Sequence, residues 1–325
     1  MIVFACDVGG THARLALVEL EGGRGSAGRG ARVVEREVVR VAEHAGLLEP
    51  LQRFLADHGA SPTRGCVALA GTVRDPRRVQ GLNLPWAVDA VELEARCGFE
   101  RVLLINDFEA AARGVDALGP DDLLQLQGRP DPGRRRAVLG AGTGLGQAFL
   151  LPAPGGTLVV PTEGGHRSFG PDTPLQDRLL AHLRGIHGRV STERVLSGPG
   201  LENIYRFLLE EGQPACPTVD DASDRPAAIS ASEHPTCRQA VSVFLEIYGA
   251  EAGNVALTVL AEGGVFLAGG IAPKLLAASD RQQLLRSWFV RKGRFREYLE
   301  GVPLAVVTQP CLGLLGAALA AVPAD

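Results

Sequence analysis

The sequence predicts an α/β protein of two lobes around a central cleft, with mixed sheets flanked by helices. Three observations carry that reading. The 325 residues exceed what one hydrophobic core usually organises. Strand-like runs alternate with runs whose apolar positions recur at helical spacing. Each half also opens on the same plan of strand, glycine-rich turn and second strand, a likeness of plan and not of repeated sequence.

Taken in order, IVFACDVG is a strand, GGTH turns the chain, and Ala13, Leu15, Leu17, Val18 and Leu20 continue a β-like run, so residues 2–20 read as a hairpin. GGRGSAGRG (22–30) has the composition of a solvated loop. ARVVEREVVRV (31–41) is a strand, and LLEPLQRFLADHG (47–59) is a helix stopped by Gly59. The strands CVALAG (66–71) and RVLLIN (101–106) bracket a helix near 87–96. Strands joined partly by hairpins and partly through helices argue a mixed sheet. In the second half, RRAVLGAGTGLGQAFLL (135–151) repeats strand, glycine turn and strand. Helices are predicted at 174–187, 199–211 and 236–261, strands at 264–270 and 302–308, and an apolar helix at 312–322.

Composition narrows the function. The chain is 46% hydrophobic and 22% charged, with a formal net charge of −4, which gives no electrostatic reason to bind nucleic acid or an anionic membrane. Its apolar runs are too short to span a bilayer. MIVFACDVGGT carries neither a basic leader nor a cleavage-site pattern, so a cytoplasmic location is expected. Cys6, Cys66, Cys97, Cys216, Cys237 and Cys311 are scattered without a C-x-x-C pair, the pattern of buried reduced thiols and not of a disulfide framework or zinc cluster. Only Lys274 and Lys292 are lysines, so a mechanism resting on an essential lysine has two candidates.

Two glycine turns bear on chemistry. In D-V-G-G-T (7–11), adjacent glycines permit backbone conformations that aim several N–H groups at one anion, Thr11 adds a hydroxyl, and Asp7 has the chemistry to hold a metal ion through water. Alone, the stretch also fits a plain hairpin turn. G-A-G-T-G-L-G (140–146) is a second such turn, but its glycines alternate and a strand follows it. That excludes a Rossmann dinucleotide site, and no G-K-[ST] exists for a P-loop. Two phosphate-suited turns from separate halves fit a nucleotide lying between lobes. L-A-G-G-I (267–271) is a third cluster, and Gly269 and Gly270 leave room for a flat adenine and ribose to approach the backbone.

T-E-G-G-H-R-S-F (162–169) sets Glu163 and His166 three apart across two glycines. A loop is expected there, which argues against a helical metal pair and for hydrogen bonds to a polyol. T-E-R-V-L-S-G-P-G (192–200) offers Glu193, which a solvated position beside Arg194 would also explain. Residues 70–75 and 81–86 are candidates for the remaining wall. Asn106-Asp107 follows a strand directly, where open α/β sheets place ligands. Asp107 either caps the next helix, or orients an attacking hydroxyl and takes its proton, or does both.

D-V-G-G-T, L-I-N-D-F, G-A-G-T-G-L-G, E-G-G-H, E-R-V-L-S-G-P-G-L and A-G-G-I-x-P together resemble the bacterial ATP-dependent glucokinases of the actin-like ATPase and sugar kinase clan. The match runs in order from residue 3 to G-L-L-G-A (313–317). The resemblance implies two ribonuclease-H-like lobes, a small domain of residues 1–110 completed by 302–325 and a large domain of 111–301. It implies a homodimer that uses ATP and Mg²⁺ to phosphorylate the 6-hydroxyl of glucose. Carried over by motif, Asp107 is the base, and Asn106, Asp107, Gly144, Glu163, His166 and Glu193 contact the sugar. Asp7, Val8, Gly9, Gly10, Thr11, Gly142, Thr143, Gly269 and Gly270 face the nucleotide and Mg²⁺. A related repressor/kinase family usually carries a cysteine-rich zinc motif after E-x-G-H. Residues 167–215 contain no cysteine, so the resemblance is to the zinc-free branch and no zinc site is expected. No helix-turn-helix sequence precedes residue 1, which argues against a repressor. Kinases of mannose or an N-acetylated amino sugar, and a sugar-gated nucleotide sensor without turnover, are the alternatives. Stretches 22–30 and 213–235 carry no pattern that assigns them.

Overall fold

The computed structural model describes residues 1–21, 30–80 and 84–322. In chain order it holds β1 (Ile2–Val8), β2 (His12–Glu21), β3 (Gly30–Arg40), α1 (Leu48–Asp57), β4 (Arg64–Leu69), β5 (Arg78–Gln80), β6 (Ala87–Asp89), α2 (Ala90–Cys97), β7 (Arg101–Asn106) and α3 (Asp107–Gly114). Next come β8 (Leu123–Gln127), β9 (Arg136–Ala141), β10 (Leu145–Ala153), β11 (Gly156–Thr162), α4 (Pro174–His187), α5 (Gly198–Glu210), α6 (Pro217–Asp220), α7 (Arg225–Ala231) and α8 (Pro235–Val259). The chain closes with β12 (Gly264–Ala268), α9 (Ala272–Leu275), α10 (Ser279–Phe289), α11 (Arg296–Glu300), β13 (Leu304–Val307) and α12 (Leu312–Ala320). The expected loop 22–30 falls outside the described residues except for Gly30, and so do residues 81–83 of the expected wall. The unassigned stretch 213–235 contains α6 and α7.

Two compact units emerge. The first comprises Met1–Asp122, Ala148–Pro161 and Gln309–Asp325, the second Leu123–Gln147 and Thr162–Thr308. The first is built on a five-stranded sheet ordered β3-β2-β1-β4-β7. β1 pairs antiparallel with β2 and parallel with β4, which pairs parallel with β7. Alternation along β1 assigns both faces. Phe4, Cys6 and Val8 join the core under α1 and α2, whereas Val3 and Ala5 join a second core with Leu314, Leu315, Ala317 and Ala318 of α12. The register Val8↔Leu69 and Leu69↔Asn106 aligns the ends of the three parallel strands. It sets the D-V-G-G-T turn and Asn106-Asp107 at the same end of the sheet, two strand spacings or about 10 Å apart.

The C-terminal helix α12 packs tightly on α3. A Cβ at Gly316 would lie 1.7 Å from the Ala110 carbonyl oxygen, and one at Gly114 would lie 2.3 Å from that of Leu312. The missing side chains are what let the backbones approach.

The second sheet is ordered β11-β10-β9-β12-β13-β8. β12 pairs parallel with β9 and β13, and β13 pairs antiparallel with β8. All five residues of β12 are buried, as a strand covered on both faces requires. The 25-residue α8 runs through this unit with fifteen buried positions, so its apolar residues surround it rather than forming one stripe.

Candidate active site

At the carboxyl end of β7 the structure orders the two candidates. Asn106, not Asp107, caps α3: its Oδ1 accepts from the Phe108 N–H at 2.9 Å and the Glu109 N–H at 3.1 Å. Asp107 is already the first helical residue. The Asn106 amide donates to the Gly71 carbonyl and to Asp107 Oδ1, each at 3.0 Å. Asp107 Oδ1 also accepts from the Phe108 N–H at 2.9 Å. With both ends of its amide engaged inside the protein, Asn106 fixes the direction of the neighbouring carboxylate.

Asp7 stands near the end of β1, with Oδ2 receiving an Arg14 guanidinium N–H at 3.2 Å. Desolvation pushes its carboxyl pKa up, and Arg14 only partly opposes that. Val8 is buried, while Gly10 and Thr11 are exposed. The Gly9 N–H closes the turn on the His12 carbonyl at 2.9 Å. A cavity of about 420 Å³ lies against Asp7, His12, Arg14, Arg36 and Gly313.

In the second unit three sugar-contact candidates converge. His166 Nε2 lies 3.9 Å from Glu163 Oε2, and its Nδ1 lies 3.9 Å from Glu193 Oε1. Glu193 Oε2 accepts the Leu145 N–H at 2.9 Å, which ties this row to the second glycine turn. A Cβ at Gly144 would stand 2.7 Å from the same oxygen, so Gly144 clears space for the carboxylate. Glu163 and His166 are exposed and Glu193 is half-buried. The expected loop at 163–166 is a single 3₁₀ turn, Gly164–His166, which gives Glu163 and His166 their approach.

The second glycine turn closes on itself through Gly142 N–H to the Gly144 carbonyl at 2.9 Å. The Gly142 carbonyl accepts the Gly198 N–H at 2.8 Å, seating the start of α5 against it. Thr143 is exposed. Neither Gly9, Gly142 nor Gly144 takes a left-handed φ, so the conformational licence expected of them is unused. It is used at Gly269, with φ +84°, where a Cβ would meet the Ala141 carbonyl oxygen at 2.4 Å. The pairing Ala268↔Gly140 thus sets Gly269 and the exposed Gly270 beside the 140–146 turn, one strand spacing away.

Sequence reasoning missed the residues that hold this row. Glu251, 6% exposed within α8, accepts from Gln147 Nε2 at 2.8 Å and Asn254 Nδ2 at 3.0 Å, and pairs with Arg167. Arg189 donates to the His166 carbonyl at 2.6 Å. The available signal was an acid set among the apolar residues of a helix that carries only one other, Glu246, a position that requires partners.

Mixed sheets flanked by helices, shared with a solved glucokinase, make this an α/β kinase of the actin-like ATPase type. The family model for glucokinase matches residues 4–324. The glucokinase of Nostoc punctiforme (strain ATCC 29133 / PCC 73102) is 36% identical over 345 residues, covering 98% of each chain. Among solved structures, a glucokinase from an Antarctic psychrotroph superposes with a TM-score of 0.82 at 30% identity, covering 98% of each chain. A ROK family glucokinase from Streptomyces griseus, in complex with glucose and AMPPNP, has a TM-score of 0.66 at 20% identity and covers 99% of each chain, a likeness of fold. The chain belongs to the glucokinase family.

Proposed function

We propose that this protein transfers the γ-phosphoryl group of ATP to the 6-hydroxyl of glucose, giving glucose 6-phosphate and ADP. The observation that carries the reading is Asp107, a carboxylate at the end of a parallel strand whose Oδ1 is held by Asn106 and the Phe108 N–H. In the proposed step Asp107 takes the hydroxyl proton and the sugar oxygen bonds to the γ-phosphorus. The bond from that phosphorus to the β–γ bridging oxygen breaks, and ADP leaves with the electron pair.

Glu163, His166, Glu193 and the backbone at Gly144 hold the sugar hydroxyls, and Asn106 acts mainly by aiming Asp107. Because the Gly9 and Gly142 N–H groups close their own turns, the phosphates fall to the amides that follow, at Gly10, Thr11 and Thr143, with Val8 as the rigid base of the first turn. Gly269 and Gly270 leave space for the nucleoside. Asp7 fits Mg²⁺ bound through water: it is a desolvated carboxylate, which a cation relieves, beside an exposed threonine hydroxyl. Bound there with the phosphates, Mg²⁺ supplies neutralisation of their charge. In this reading residues 1–110 with 302–325 carry the base and 111–301 carry the hydroxyl-binding row. The enzyme is further proposed to act in the cytoplasm, in glycolysis, as a homodimer. Among the described residues, no helix is long and apolar enough to cross a membrane.

The test is Asp107→Asn. Glucose binding, followed by calorimetry, is expected to persist while turnover falls on the order of 100-fold or more, the scale of general-base loss. Near-native turnover would remove Asp107 from the mechanism.

A further inference from the structure

We infer that Cys216, His234 and Cys237 form a binding site for a thiophilic transition-metal ion of the Zn²⁺ class. None of the three is among the residues assigned to ATP or glucose. Cys216 caps α6, His234 caps α8, and Cys237 lies in the first turn of α8. The two sulfurs and an imidazole nitrogen all lie within 4.8 Å of one another. A tetrahedral site with metal–sulfur bonds of about 2.3 Å and metal–nitrogen bonds of about 2.0–2.1 Å sets its donors roughly 3.3–3.8 Å apart. A contraction of about 1 Å therefore suffices.

The surroundings suit an ion better than a simple apolar core. Cys216 is 3% exposed and Cys237 is fully buried, so the donors are shielded from bulk water. His234 Nδ1 is buried without a hydrogen-bond partner among the described residues, a cost that coordination at that nitrogen would relieve. Two hydroxyls, Thr218 Oγ1 at 3.1 Å and Ser232 Oγ at 3.5 Å, stand where they can donate to a Cys216 thiolate, the outer support that metal-bound sulfur usually receives. The backbone is pinned as well: the Cys216 N–H donates to Tyr205 Oη at 2.7 Å, and Thr236 Oγ1 donates to the Pro214 carbonyl at 2.6 Å.

Three protein donors leave a fourth position for water. Two thiolates with one imidazole select soft or borderline ions over Mg²⁺. The spacing C-x₁₇-H-x₂-C lacks a C-x-x-C pair, which is why the sequence alone hid it. The bound ion would staple the α6–α7 segment to α8. Pro226 of α7 abuts Gly198 at the start of α5, whose N–H seats the second glycine turn.

Titration of reduced, metal-free protein with Co²⁺ tests this directly. One Co²⁺ per chain is expected, with thiolate-to-cobalt charge-transfer absorption and intense tetrahedral ligand-field bands. Cys216→Ser and Cys237→Ser should each weaken binding on the order of 100-fold, while Cys97→Ser and Cys311→Ser keep the wild-type spectrum. Absence of the charge-transfer band in wild type, or its survival in the Cys216→Ser/Cys237→Ser double variant, would overturn the site. Should the variants misfold, X-ray absorption on the Zn²⁺-loaded wild type decides. Two sulfurs with light-atom neighbours support the site, and a shell of oxygen and nitrogen alone overturns it. Loss of two thiols per chain on airing, with no cobalt band after re-reduction, would make the pair a redox couple and also overturn the proposal.

Discussion

At Asp7 a carboxylate occupies the sheet face covered by α12, with its Oδ2 3.7 Å from where a Cβ on Gly313 would sit. Desolvation outweighs the Arg14 contact, so the folded-state pKa lies above the ordinary carboxylate value. The sign follows from linkage. Below the unfolded pKa, near 4, both states are protonated and the residue is neutral to stability. As pH rises through the elevated folded pKa, the native state must ionise a desolvated group, and stability is lost. Asp7→Asn is therefore expected to melt about 1–3 °C higher than wild type at pH 7, with the gap narrowing toward pH 4, while turnover falls on the order of tenfold or more through loss of the proposed Mg²⁺ anchor. Thermal scans at the two pH values, with a coupled ADP assay, check both halves; a lower melting temperature at pH 7 would reverse the argument. Such opposition of stability and activity is common where a site needs a charge that folding does not want. At this scale the sequence nominated side chains for chemistry, but did not show which of two adjacent cap-competent residues caps. Asn106 and Asp107 suit the position about equally, and the choice depends on Gly71, thirty-five positions earlier in the chain, offering its carbonyl to the Asn106 amide.

Between elements the decisive contact is α3 on α12, because α3 begins at Asp107. Gly114 and Gly316 set their separation. Helix propensity alone favours Gly316→Ala by about 1 kcal/mol. The added Cβ, however, would fall 1.7 Å from the Ala110 carbonyl oxygen and 2.6 Å from the Gly114 nitrogen, both backbone atoms that cannot rotate away. Overpacking of this kind costs about 1–3 kcal/mol or more, so the clash wins. Gly316→Ala is expected to lower the melting temperature by several degrees and, by displacing α3, to lower kcat more than it raises KM for glucose. Unchanged stability would mean that the helices separate without strain. The unbroken apolar run LGLLGAALAAV announced a helix, and strand runs such as RVLLIN announced the sheets, because those signals are local. The partner of α12 was not legible, since a glycine in an apolar run looks the same whether it faces solvent, a side chain or another backbone. Glu251 shows the same limit: its apolar surroundings in α8 were visible, but its partners Gln147 and Arg167 lie 104 and 84 positions away in the chain.

For the whole molecule, the plan of two lobes was readable from length and from the paired strand–turn–strand openings, whereas a return of the C-terminal segment to the N-terminal lobe was implied only by the family resemblance and by no local signal. The first unit takes most of its residues from the N-terminal 122 and is finished by the chain's other end. Leu314, Leu315, Ala317 and Ala318 share a core cluster with Val3, Ala5, Ala16, Val18, Cys66 and Ala68. Removing residues 311–325 uncovers that sheet face and deletes three buried leucines, two of them in that cluster, each worth roughly 2–5 kcal/mol; together they rival the whole stability of a typical domain. The loss should fall on the first unit, since β9, β12 and β13 of the second contribute nothing to that cluster. The two tryptophans make this measurable, because Trp86 packs against the first unit's other core and Trp288 is buried in α10 of the second. In a Trp288→Phe background the truncated chain is expected to show no cooperative fluorescence transition in urea. In a Trp86→Phe background the transition should persist, shifted only modestly. Joint disappearance of both transitions would mean that the two units fold as one cooperative body, so that α12 stabilises the entire chain and not the lobe it completes.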